Sequence, residues 1–80
     1  MNIYISKLDC LTTPADLQEL FAPYGKSVCS SVRTITDVSK DQMDTFAYMY
    51  MENQVEGNAA IAGLNQLSVR NRQIEVKEAG

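Results

Sequence analysis

Histidine is absent from this 80-residue chain, and cysteine is scarce, with Cys10 and Cys29 the only two. The commonest general base is therefore missing, so acid–base catalysis has little to work with. A structural zinc site needs about four Cys or His ligands, and two separated cysteines fall short of that. Both read as reduced thiols. There is no Gly-rich phosphate loop either, so no enzyme activity, metal or cofactor is expected.

Basic residues are in the minority. Seven Lys and Arg stand against ten Asp and Glu, for a net charge of −3. This argues against nucleic-acid binding, because phosphate contacts normally leave a basic footprint. Long apolar runs are missing too, which excludes a membrane-spanning helix. The N-terminus lacks a basic segment followed by an apolar stretch, so no signal peptide is expected and a cytoplasmic location is the default. The length suits one domain with a modest core, and nothing in the pattern signals a dimer. No basic tail is expected after the last predicted strand.

What remains is a regular alternation of elements. Asn2 to Lys7 reads as a strand with Ile3 and Ile5 on one face and Tyr4 on the other. Cys10 to Thr12 is a loop. Thr13 is a good helix N-cap, Pro14 suits the first helical position, and Asp16 favours the positive helix end. Leu17, Leu20, Phe21 and Tyr24 then form one apolar stripe, and Pro23 and Gly25 end the helix. Ser27 to Asp37 suits a second strand, and polar residues 37–44 an exposed loop. Thr45 to Met51 alternates, with Phe46, Tyr48 and Tyr50 on one face and Ala47, Met49 and Met51 on the other.

Asn53 is placed to cap a second helix, with Glu56 spaced for a capping box. Gly57, Ala60, Ile61 and Leu64 form its inward stripe, and the small residues predict a close approach to the sheet. Asn65 and Asn71 are candidate left-handed turn positions. Leu67 to Arg70 predicts a short hairpin arm. Arg72 to Lys77 predicts the last strand, with Ile74 and Val76 inward.

The order is β-α-β-β-α-β. It implies an α+β, ferredoxin-like sandwich: a four-stranded antiparallel sheet of order 4-1-3-2 with two helices on one face. The other face has no covering element. With the first strand beside the third, Tyr4 joins Phe46, Tyr48 and Tyr50 there. Such an exposed aromatic patch usually marks a binding surface. Flat rings stack on nucleobases with little regard to base identity, for about 1–3 kcal/mol per base. Core packing is the competing explanation for these rings. The opposite face already supplies an unbroken apolar surface for the helices, which favours the exposed platform.

At these positions the chain resembles the RNA recognition motif family. The family's N-terminal hexamer is similar to Ile3-Tyr4-Ile5-Ser6-Lys7-Leu8. Its central octamer is similar to Asp44-Thr45-Phe46-Ala47-Tyr48-Met49-Tyr50-Met51. The end of the first helix at residues 20–25, the run Ala60-Ile61 to Leu64-Asn65 and the close at residues 72–76 also match. The resemblance implies that Tyr4 and Tyr48 stack on neighbouring bases of single-stranded RNA, or of single-stranded DNA. Phe46 would pack against the sugars between them.

Three positions depart from the family's pattern. The first octamer position, ordinarily Lys or Arg, is Asp44. The second, ordinarily Gly, is Thr45, and the fifth hexamer position, ordinarily Asn, is Lys7. Alternation places Arg33, Ile35, Gln73, Glu75 and Lys77 on the platform face, so Arg33, Lys7 and Lys77 are the candidate cations. Neutralising about three phosphates gives a single-strand salt slope of about −2. The expectation is a monomer that binds weakly, at about micromolar affinity or weaker, with low sequence specificity. The acidic balance and Asp44 also fit an alternative, a protein-interaction module built on the same fold.

Overall fold

The computed structural model describes residues 1–80. Strand β1 (Asn2–Leu8) leads to helix α1 (Pro14–Phe21), which tightens into a 3-10 turn at residues 22–24. Strands β2 (Ser27–Asp37) and β3 (Gln42–Met51) form a long hairpin. Helix α2 (Gln54–Leu64) follows, then a small hairpin of β4 (Ser68–Val69) and β5 (Arg72–Gln73), and last strand β6 (Glu75–Glu78). The main sheet runs β2-β3-β1-β6, and all its pairings are antiparallel. With β6 as the fourth main strand, this is the expected 4-1-3-2 order.

The core lies between the sheet and the helices. Ile3, Ile5, Ala47, Met49 and Met51 send their side chains to the helix side and are fully buried. Leu17 and Phe21 of α1, Ala60 and Leu64 of α2, and Ile74 and Val76 close the same cluster. Leu20, Tyr24 and Ile61 pack at its margin. The period of two in the strands and of three to four in the helices thus meet on one surface. Gly57 lies against the Met1 thioether so closely that a Cβ would overlap it. This contact explains the small residue at that point of α2.

Helix α1 starts as predicted. The Thr13 hydroxyl accepts from the Asp16 amide, and the Asp16 carboxylate accepts from the Thr13 amide. Helix α2 differs in part. Asn53 Oδ1 accepts from the Glu56 amide at 3.0 Å, but Glu56 does not return the bond. Its carboxylate instead folds over Gly25, where φ is +141° and a side chain would collide with it.

Three further expectations need correction. The loop expected over residues 37–44 is shorter, because β3 begins at Gln42 and pairs it with Asp37. Backbone hydrogen bonding extends the hairpin through residues whose side chains are polar. Asn65 is extended, and the left-handed residue is its neighbour Gln66, at φ +68°. The Asn65 side chain acts elsewhere. Its Oδ1 accepts from the Val76 amide at 3.0 Å and ties the end of α2 to β6. Asn71 does take a left-handed φ, of +65°, together with Arg70 at +51°. Finally, the last strand is interrupted at Ile74, whose amide bonds to Leu67. Gln73 therefore pairs with Ser68 in the small hairpin, off the main sheet.

Candidate nucleic-acid interface

The sheet face away from the helices carries the site. Directly opposed residues of an antiparallel pair point to the same side, so register alone shows which side chains meet. Ser31, Tyr48, Tyr4 and Lys77 form one row across all four strands. Arg33 stands opposite Phe46 in the next row. Toward the other end, Tyr50 stands between Asn2 and Val28. The face is uncovered: Tyr48 is 39% and Tyr50 44% exposed, while Tyr4 and Phe46 are half-buried.

Three of the four rings form a cluster. The Tyr4 ring centre lies 5.2 Å from that of Tyr48 and 6.0 Å from that of Phe46. Phe46 meets Tyr48 edge-on at 6.4 Å. These separations lie in the range of favourable aromatic pairs, so the rings hold one another in place while their outer surfaces stay free. Tyr50 shares the face but lies outside the cluster. An open depression of about 730 Å³ runs over Tyr4, Phe46 and Tyr48 toward Lys77 and the residues after it.

The candidate cations differ in their surroundings. Lys77 Nζ stands over the Tyr4 ring, 5.5 Å from its centre. Arg33 is exposed beside Phe46 and enters no ion pair. Lys7 occupies an irregularity in β1, at φ +61°, and its Nζ lies 3.1 Å from the Glu75 carboxylate. Glu75 thus offsets part of its charge. Asp44 is exposed on the platform face, two residues before Phe46 and opposite Ile35. Thr45, buried on the other face, holds the Thr34 hydroxyl at 2.8 Å.

No group of three or more His, Cys, Asp or Glu side chains gathers to hold a metal ion. No helix is long and apolar enough to cross a membrane. Burial pushes the half-buried Cys29 thiol up in pKa, which makes it a poor nucleophile.

An antiparallel sheet with two helices on one face and clustered aromatics on the other defines a class of domain. Residues 3–75 match the RNA recognition motif. The chain belongs to that family. It is 34% identical over 79 residues to RbpD of Nostoc sp., covering 99% of this chain and 82% of that protein. It is 32% identical to RbpA of Synechocystis sp., covering 99% and 76% respectively. Both carry the name of RNA-binding proteins. The crystal structure of RNA Binding Protein PG1 superposes with a TM-score of 0.77 at 33% identity, over 99% of this chain and 93% of that one. The fold, the family and the sheet order expected from the sequence all hold.

Proposed function

We propose that this chain binds single-stranded RNA across the open sheet face. Neighbouring bases stack on Tyr4 and Tyr48, and Phe46 packs against the sugars between them. Tyr50 extends the surface toward Asn2 and Val28. The observation that carries this reading is the mutually braced, uncovered cluster of Tyr4, Phe46 and Tyr48. Family membership and the RNA-binding names of the relatives support it.

Phosphate contacts fall to Arg33 and Lys77, with a smaller share for Lys7 because Glu75 holds it. With few cations and Asp44 nearby, stacking supplies most of the free energy. Binding is therefore weak, tolerant of sequence at the stacked positions, and open to single-stranded DNA as well. The reading is of a non-enzymatic, cytoplasmic, monomeric binding module. A protein-interaction role on the same fold, using the sheet or the apolar helix face, draws its support from the acidic balance and Asp44.

The test is a titration with short RNA oligonucleotides followed by backbone amide shifts. Residues 3–5 and 45–50 should move together and saturate. If they stay still at millimolar RNA, the proposal fails.

A further inference from the structure

We propose that a depression beside Phe46 receives a guanine base, with the Asp44 carboxylate as the acceptor that selects it. This inference rests on the reading that single-stranded RNA crosses this face. The depression, of about 310 Å³, is lined chiefly by Tyr4, Ser6, Lys7, Ile35, Asp44 and Phe46. Its lining brings together aromatic, aliphatic and acidic residues with a serine and a lysine. Its volume falls at the lower end of small-molecule sites, about 300–1,000 Å³.

Asp44 is the group that decides the occupant. It leaves the same face as Phe46 because the two are two residues apart on β3. No cation neutralises it: the ion pairs of the chain are Lys7 with Glu75 and Arg70 with Asp16. An ionised carboxylate offers acceptors and no donor. It repels phosphate, so the backbone of a bound strand should pass elsewhere and a base edge should face it. Guanine presents two donors side by side on that edge, N1–H and the N2 amine, and a carboxylate can accept both. Adenine and cytosine place a ring-nitrogen acceptor beside their single amine. Uracil flanks its N–H with two carbonyls. In those three cases the second carboxylate oxygen meets a lone pair. On the β1 side of the depression, Ser6 and Lys7 are donors that suit the guanine O6 acceptor. Asp44 then exchanges the phosphate attraction of the family's usual cation for base discrimination at one position.

The experiment uses the full chain and four RNA tetranucleotides that differ only at one internal base: guanine, inosine, adenine or uracil. Inosine keeps N1–H and O6 and lacks only the N2 amine. Guanine should bind about tenfold tighter than inosine, the scale of one hydrogen bond to a charged acceptor. Adenine and uracil should do no better than inosine. Asp44→Ala should erase the guanine–inosine gap and leave the uracil oligonucleotide bound as well as before or better. Equal affinities for guanine and inosine overturn the inference, as does a gap that survives in Asp44→Ala. So does Asp44-dependent binding of an Arg-Gly-Gly peptide without any guanine–inosine gap, since a guanidinium presents similar paired donors. Failure of the underlying reading looks different: no oligonucleotide binds, or Tyr48→Ala leaves all of them bound.

Discussion

Lys77 and Tyr4 stand directly opposite each other across the β1–β6 ladder, and the lysine Nζ lies 5.5 Å from the centre of the tyrosine ring. The ammonium is therefore already at the edge of the stacking platform, where a phosphate of a bound strand can meet it. Lys77→Met should weaken RNA binding and reduce its salt slope by about 0.7, the share of one phosphate on a single strand. Stability should fall by no more than about 1 kcal/mol, the scale of the exposed cation–π contact with Tyr4. Oligonucleotide titration and a melting curve check both halves.

The three platform cations should not be equivalent. Arg33→Ala should weaken binding and reduce the salt slope by about 0.7, the share of one phosphate on a single strand. Lys7→Ala should do less, because Glu75 already holds its ammonium at 3.1 Å. Glu75→Gln should release Lys7 and tighten binding. Asp44→Lys should tighten binding to a uracil oligonucleotide and steepen its salt dependence. Titrations at several salt concentrations separate these cases.

Asn65→Ala should lower stability by about 1–2 kcal/mol. It leaves the Val76 amide without the partner that holds it at 3.0 Å, in a partly buried place. Denaturant unfolding measures the loss. RNA binding by the folded fraction should be unaffected, because Asn65 is far in sequence and role from the rings.

Asp16 links stability to pH. Its pKa is lowered from 3.8, first by the bond from the Thr13 amide, then by the Thr13 hydroxyl, with Arg70 adding a smaller effect. A carboxyl group depressed in the folded state stabilises it above the unfolded value, and this is lost as pH falls through the folded value. The stability curve should therefore fall in the acid range below about pH 4. Asp16→Asn should make that limb shallower. Asp37, also lowered, chiefly by the Ser39 hydroxyl, should act in the same direction.

Much of this architecture is legible in the sequence, for local reasons. Thr13, Pro14 and Asp16 act within one helical turn, so their roles follow from spacing. The alternation of β1 and β3 fixes which rings share a face, and the register then brings Tyr4 opposite Tyr48. The features that stay hidden depend on distant partners. Asn65 looks like a turn residue until β6 arrives beside it. Glu56 has capping-box spacing, yet its carboxylate lies over Gly25, 31 positions earlier in the chain. The pairing of Lys7 with Glu75 needs an irregularity in β1 that no alternation pattern announces. The slip in register between Cys29 and Ser31 is equally silent, although it is what puts Arg33 beside Phe46.

The binding role of this face depends above all on the Tyr48 ring serving a ligand rather than the core. The decisive measurement is Tyr48→Ala, with unfolding free energy and RNA affinity determined on the same preparation. Stability should fall by only about 1–2 kcal/mol, the scale of the ring pairs that Tyr48 makes with Tyr4 and Phe46. Affinity should fall at least about tenfold, within the range of a stacked base. A large loss of stability with affinity intact in the folded fraction would place the ring in the core and contradict its role as a platform.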